Sequence, residues 1–233
     1  MNTRLKLLSV FFILPFYIFP QAKCYYFDQS TRIAYNVIDS TLYTGTCSSE
    51  FKNGKQKFIC GFENGVILYS KSWNKKGILV DSTIYLNGFK KQKSFKFYET
   101  GELKEESTLY LSDKTLAGMD VYESEGNYIT YWKNGKKQFE TVYYNKSKNF
   151  VSEFYENGNL KSEGIYISVD TTKMLGISKA DSIHNYYREN GTIKRIESWS
   201  KGKMVGISTD FNEDGSIKRK EEYENGNFIR YIK

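Results

Sequence analysis

Proline is almost missing from this chain. Its 233 residues hold 2, Pro15 and Pro20, both near the start. Histidine occurs once, at His184, and cysteine three times, at Cys24, Cys47 and Cys60. A single histidine excludes a paired-histidine metal site, and no Cys-x-x-Cys spacing occurs, so no metal centre is expected. No phosphate-cradling glycine loop is present, since Gly61 to Gly65 reads as a turn. Hydrophobic residues make up 39 %, which is lean for a thick closed core. The net charge is +7, yet charges of both signs alternate along the chain and form no basic block of the nucleic-acid-binding kind. Neither a cofactor nor a nucleic-acid partner is expected.

What is abundant points the other way. There are 18 glycines and 20 tyrosines, and aromatic residues reach 17 %. Tyrosine buries a ring while keeping its hydroxyl wet, which suits a thin sheet. A chain without proline but punctuated by glycine reads as many strands joined by tight turns.

The first 22 residues read as a signal peptide: Arg4 and Lys6, an apolar run from Leu7 to Phe19, then Pro20-Gln21-Ala22. An uncleaved anchor and lipidation at Cys24 are the alternatives. The apolar run of 13 residues is short of the roughly 20 needed to cross a bilayer. Lys23 stands where a lipoprotein signal needs a small residue. Removing Arg4 and Lys6 leaves a charge of +5. The expected location is outside the cell, or in a bacterial periplasm or envelope.

Residues 43–233 are self-similar. Aromatic anchors at Phe51, Trp73, Tyr98, Trp132, Tyr155, Tyr187 and Phe211 are each followed within three or four places by glycine, and 11 or 12 places on by a second aromatic. Seven hairpin units result, with insertions near 111–127 and 167–185. Residues 23–42 fit no unit and read as an N-terminal cap. Recurrent Asn-Gly pairs suggest type I′ turns, in which both central residues take φ > 0. A two-residue turn at Asn157-Gly158 would set Tyr155 opposite Leu160, and a three-residue loop with a glycine bulge would set Tyr187 opposite Ile193; Tyr98 with Leu103 and Phe211 with Ile217 follow the same rule. The strand from Ile217 shows no continuous apolar stripe, so a sheet wetted on both faces is expected. The fold class is all-β: an elongated antiparallel meander of tandem β-hairpins, largely a single-layer twisted sheet.

The string Tyr155-Glu156-Asn157-Gly158-Asn159-Leu160-Lys161-Ser162-Glu163 resembles the MORN-repeat variant of bacterial proteins, and specifically the YwqK-like antitoxin family. Tyr98-Glu99-Thr100-Gly101-Glu102-Leu103-Lys104-Glu105-Glu106 resembles it too. The resemblance implies an elongated antiparallel meander without a cofactor and a role in protein or membrane association. A secretion signal departs from a cytosolic antitoxin.

A two-residue turn at Asn53-Gly54 places Cys47 directly opposite Cys60, so a Cys47–Cys60 disulfide is expected, with two reduced thiols as the alternative. Cys24 would then be free or pair between molecules. Asp181-Ser182-Ile183-His184 supplies the residue types of a catalytic triad but no nucleophile elbow, and reads as part of an inserted loop. The two insertions replace second turns on one sheet edge, where repeat scaffolds carry recognition. Met119, Tyr122, Met174, Ile177 and His184 are the binding candidates there. Trp73, Trp132 and Trp199, taken as exposed, are candidates for sugar stacking or a lipid interface. The leading expectation is an exported, non-catalytic scaffold for a protein partner, with end-to-end self-association through edge strands. A glycan- or lipid-binding envelope module is the second reading, and a two-carboxylate glycan hydrolase the third.

Overall fold

The computed structural model describes residues 24–28, 31–87, 90–116, 119–145, 147–168 and 178–232. The expected leader, residues 1–22, lies outside them. The described residues form eighteen strands and no helix. These are β1 (Tyr25–Asp28), β2 (Ile33–Asn36), β3 (Gly45–Glu50), β4 (Gln56–Glu63), β5 (Val66–Trp73), β6 (Leu79–Tyr85), β7 (Lys91–Phe97), β8 (Leu103–Leu116) and β9 (Met119–Tyr131). Then come β10 (Lys137–Asn145), β11 (Lys148–Phe154), β12 (Leu160–Ser168), β13 (Ser178–Tyr187), β14 (Ile193–Ser200), β15 (Lys203–Met204), β16 (Gly206–Phe211), β17 (Ile217–Glu224) and β18 (Asn227–Ile232). β1 and β2 pair with each other; in the 16-stranded sheet, neighbours follow chain order from β3 to β18, with β15 beside β14. The expected antiparallel meander of hairpin repeats is therefore present. The chain divides into two compact units, one ending at Glu125 and one running from Gly126.

One turn recurs seven times. Its opening residue is Phe51, Asn74, Tyr98, Trp132, Tyr155, Arg188 or Asn212, whose N–H donates to the carbonyl four places on and whose carbonyl accepts the N–H of the glycine three places on, at 2.8–3.2 Å. These glycines, Gly54 to Gly215, have φ between 76° and 106°, the left-handed region where a Cβ is costly. The loop thus has three residues and ends in a glycine bulge. The type I′ expectation fails here because asparagine has a different task. Its Oδ1 accepts the N–H two places on, as Asn53 does from Lys55 (3.2 Å), Asn134 from Lys136 (3.0 Å) and Asn157 from Asn159 (2.8 Å). Its Nδ2 donates forward to the next turn: Asn53 to Lys75 O, Asn134 to Glu156 O and Asn157 to Glu189 O, at 2.8–3.0 Å. True two-residue turns with both φ positive occur at the opposite strand ends, at Asn64-Gly65, Lys201-Gly202 and Asn225-Gly226. Each of these glycines donates its N–H back 22 places, to Tyr43, Ala180 or Met204, so both strand ends are laddered.

Every repeat turn is followed by a one-residue bulge. Glu50 faces Gln56 but Ser49 faces Phe58, which leaves Lys57 unpaired. The same shift leaves out Val80, Lys104, Gln138, Lys161, Lys194 and Lys218. The lysine of the sequence motif is this bulged residue, and the parity change it causes is why alternation was hard to read. Longer loop and bulge offset each other, so Cys47 does face Cys60. At five of the seven turns the residue before the opener is an aromatic facing an aliphatic: Trp73 faces Leu79, Phe97 Leu103, Phe154 Leu160, Tyr187 Ile193 and Phe211 Ile217. Tyr98 and Tyr155 are openers instead, one place beyond the paired position.

The sheet is not wetted on both faces. In the first unit, Cys47, Cys60, Ser70, Thr83, Ser94 and Ser107 are successive register partners, and all are buried. In the second, Tyr128, Thr141, Val151, Gly164, His184 and Glu197 form the same kind of row, also buried. Side chains two places away on each strand share that face and stand taller than the short ones in the row. Many of these positions are polar, among them Ser70, Thr83, Ser94, Ser107, Thr141, His184 and Glu197, and the midline of the sheet encloses them.

β1 and β2 pack on the first unit, where Tyr25 and Ala34 join Cys47, Cys60, Phe62 and Ile67 in one buried cluster. The disulfide is Cys24–Cys47, with Cα atoms 5.9 Å apart, and Cys60 is a buried free thiol. This corrects the expected Cys47–Cys60 bond. Register brought that pair together, but β1 brings Cys24 onto the same face at the commonest disulfide spacing. The insertions also differ from expectation. Residues 111–116 and 119–125 continue β8 and β9 as strands rather than a loop. Within 167–185, β13 already begins at Ser178, and Ser182 and Ile183 bulge out of its pairing with β12.

The forward bond from Asn53, Asn134 and Asn157 sets a testable asymmetry. Asp214 holds the asparagine position in the last described turn, caps Ser216 N–H (2.9 Å), and has no described following turn to reach. Asn157→Asp should lower stability by about 1 kcal/mol, the loss of one hydrogen bond. Asp214→Asn should change it by less than about 0.5 kcal/mol. Urea unfolding midpoints of the two variants measure the difference.

Candidate functional site

The row beside the repeat turns carries the larger and charged side chains. In the second unit it runs through register partners Thr130, Phe139, Glu153, Ser162, Tyr186, Arg195, Asp210 and Arg219. Opposite charges meet along and beside it: Lys161 with Glu153 at 3.4 Å, Arg195 with Asp210 at 3.3 Å and Arg219 with Asp210 at 2.7 Å. Arg195 also pairs with the buried Glu197 at 2.6 Å, and Arg219 with Glu221 at 3.1 Å. In the first unit, Lys96 pairs with Glu105 at 3.0 Å. Burial there holds the Asp81 carboxyl above its ordinary value, although Lys96 opposes the shift.

Side chains of the turn openers hold each repeat to the next. The Trp132 indole N–H donates to Phe154 O at 3.3 Å, the Tyr155 hydroxyl to Tyr187 O at 2.9 Å, and the Arg188 guanidinium to Phe211 O. Three chemically different side chains thus reach the same backbone acceptor, the residue before the next opener. At these three turns the opener is a long side chain with a donor at its end. That explains why sequence reading found only aromatics there and missed Arg188.

Where Trp132 makes this bond, a depression of about 270 Å³ opens, lined by Thr130, Trp132, Gln138, Phe139, Glu153, Phe154 and Lys161. Its floor is aromatic. Its polar groups sit in pairs: Thr130 Oγ1 donates to Gln138 Oε1 at 3.3 Å, and Glu153 meets Lys161. The Lys161 side chain is 49 % exposed, whereas that of Glu153 is 15 % exposed. The volume lies just below the range typical of small-molecule pockets.

Of the residues expected from sequence, Trp132 lines this depression. Trp199 and His184 come together elsewhere, with ring centroids 6.3 Å apart. Trp73 lies in the first unit, opposite Leu79. All three tryptophans are half-buried rather than exposed, and Trp199 donates its indole N–H to Glu197 at 3.0 Å. Met119 and Tyr122 belong to β9, and their side chains lie outside the described part; Met174 and Ile177 lie outside the described residues altogether. Phe139, Glu153, Phe154 and Lys161 were not singled out from sequence. Phe154 and Lys161 could have been, as the residue before an opener and the bulged lysine.

His184 is no loop residue. It sits in β13 at 2 % exposure, edge-on to Tyr166 at 4.9 Å, with Nε2 2.8 Å from Ile165 O. Its ring lies over Gly164, where a Cβ would meet Nδ1 at 2.4 Å; Tyr69 covers Gly61 in the same way, also at 2.4 Å. Histidine here fills the row position that Cys47, Ser70 and Ser94 hold in the first unit, with the bare Gly164 making room for its ring. Burial pushes its pKa below the ordinary 6.5, and outweighs the Ile165 and Asp181 carbonyls, which favour the charged ring.

Because the folded pKa is the lower one, His184 contributes stability that is complete above about pH 6.5 and is lost as pH falls toward the folded value. The urea midpoint of the native chain should therefore drop between about pH 7 and pH 5.5. His184→Tyr, which copies Tyr69 over Gly61, should show a smaller drop over that interval.

Residues 151–168 and 204–225 match the family described as MORN repeat variant. The first stretch spans β11 and β12, and the second β15 to β17 with the turn after it. Among solved structures, a protein of unknown function from Bacteroides fragilis NCTC 9343 is 16 % identical, with a TM-score of 0.17; the match covers 60 % of this chain and 98 % of that one. No curated protein matches the chain. In two of its hairpin stretches, then, this chain is similar to the MORN repeat variant.

Proposed function

We propose that the chain is an exported, non-catalytic repeat scaffold whose Trp132–Phe154 depression receives a side chain of a protein partner. The observation that carries this reading is the depression itself: an aromatic floor rimmed by the Glu153–Lys161 pair. Buried aromatic anchors with a charged rim are where protein interfaces concentrate binding energy. Elsewhere along the repeat turns, asparagine and opener side chains are engaged in holding one repeat to the next. Export is supported by the apolar N-terminal run and by the Cys24–Cys47 disulfide, since such bonds persist in oxidising compartments. The antitoxin-like role implied by the sequence resemblance fits this reading only for a partner outside the cytosol. A second reading, a glycan-binding envelope module, draws on the same depression: a tryptophan beside Gln138 and Glu153 also suits a sugar ring.

Phe154→Ala removes ring area from the floor and leaves the Phe154 carbonyl that Trp132 uses. In quantitative cross-linking from bacterial envelope fractions, a specific polypeptide should be captured by the native chain and reduced at least about tenfold for Phe154→Ala, a hot-spot-sized loss. Trp73→Ala serves as the control and should retain capture. Equal capture by all three chains would defeat the reading. Binding to purified cell-wall glycan that is lost with Phe154→Ala would favour the second reading instead.

A further inference from the structure

The three cysteines form one site. Cys47 is bonded to Cys24 from the segment leading into β1, and it is also the direct register partner of Cys60 on β4. Directly opposite residues in an antiparallel pair have Cα atoms about 4.5–5.5 Å apart, inside the range a disulfide spans. Cys47 and Cys60 are buried at 1 % and 0 % exposure in the same cluster. The Cys60 thiol lies 3.7 Å from Cys47 O and 3.6 Å from the hydroxyl of Tyr25, the neighbour of Cys24. Cys47 thus has two cysteine neighbours, Cys24 bonded to it and Cys60 facing it, and can bond one at a time.

We propose that these residues form an internal thiol–disulfide exchange site, in which Cys60 displaces Cys24 from Cys47. The Cys60 thiol gives its proton to solvent, and the thiolate attacks Cys47 Sγ. The Cys47–Cys60 bond forms as the Cys24–Cys47 bond breaks. The electron pair leaves on Cys24, which takes a proton from solvent. One disulfide and one thiol are present before and after, so no oxidant or reductant is consumed. The two bonds close sequence separations of 23 and 13, less than a doubling, so chain entropy separates the isomers little. The balance is set by how well β1 and β2 pack. After exchange, the covalent tie between Cys24 and β3 is gone. Ala34 N–H to Gly65 O (2.9 Å), Tyr43 N–H to Ala34 O (2.9 Å) and the Tyr25–Phe62 ring contact then hold the cap. Exchange therefore converts a stapled cap with a buried thiol at Cys60 into an unstapled cap with its thiol at Cys24.

Burial holds the Cys60 thiol above its ordinary pKa, which makes exchange slow at neutral pH and faster as pH rises. The titratable groups facing it are Tyr25 from β1 and Tyr43 from the segment before β3; Tyr85 from β6 faces Tyr25. Burial raises both Tyr25 and Tyr43 above the ordinary tyrosine value, so neither hydroxyl competes as an anion near the thiol.

The full chain, oxidised and free of added thiol, is incubated in native buffer at neutral pH and at about pH 9, where a thiolate forms more readily. It is quenched in acid, unfolded, labelled with a maleimide and digested for peptide mass spectrometry. Label should begin on Cys60 and move to Cys24 with time, faster at the higher pH. A Cys47–Cys60 cross-linked peptide should appear in step, at a rate independent of protein concentration. Cys60→Ser should abolish label on Cys24; if that variant does not fold, the native chain's cross-linked peptides decide alone. Cys24 remaining unlabelled at both pH values, label arriving on Cys47, or a rate proportional to protein concentration would each overturn the proposal.

Discussion

The fold depends on one arrangement, a three-residue turn that caps itself and grips its neighbour. Glycine supplies the positive φ, and asparagine Oδ1 closes the turn. Asparagine Nδ2 then spends its hydrogens on a carbonyl of the next turn. Where the opener is Trp132, Tyr155 or Arg188, its side chain adds a second bond across the same gap. On the opposite strand ends, the glycines of two-residue turns donate backward across 22 residues. A sheet with so little apolar area gains its order from these repeat-to-repeat bonds, in the nearest-neighbour manner of repeat arrays.

The bulge after each turn follows from that arrangement and shapes the surface. It expels one residue, commonly lysine, and shifts the parity of the outgoing strand. Small residues then meet along the midline, while aromatic and charged residues meet in the row nearer the turns. Two glycines make room for rings: Gly164 lets His184 lie across the midline, and Gly61 lets Tyr69 lie across the opposite face beside it. The midline is thereby closed, and the outer row holds the charged pairs and the Trp132 depression. The cysteines belong to the midline too, which is why a disulfide and a free thiol share one register position.

Repeat number, turn positions, the meander and the facing of Cys47 with Cys60 were all legible in the chain. They depend on spacing and on the conformational demands of glycine, which are local. Facing residues near Asn53-Gly54 came out right because an underestimated loop and an unseen bulge offset each other. Tyr98 and Tyr155 came out one place off, because no offset operates right beside a turn.

Three things were decided only in three dimensions. Cys47 bonds Cys24 because a cap hairpin folds back onto the sheet, a contact that no spacing rule contains. His184 is buried because it crosses Gly164 on a neighbouring strand, so a residue read as part of an inserted loop lies in the buried midline row. The depression gathers residues from four strands and one turn, and its members are unremarkable in sequence until register sets them side by side. Sequence alone determined where the chain reverses, since a reversal is written in four or five adjacent residues. Tertiary structure decided which side chains share a face, since each bulge shifts the count by one and only the paired strand records it.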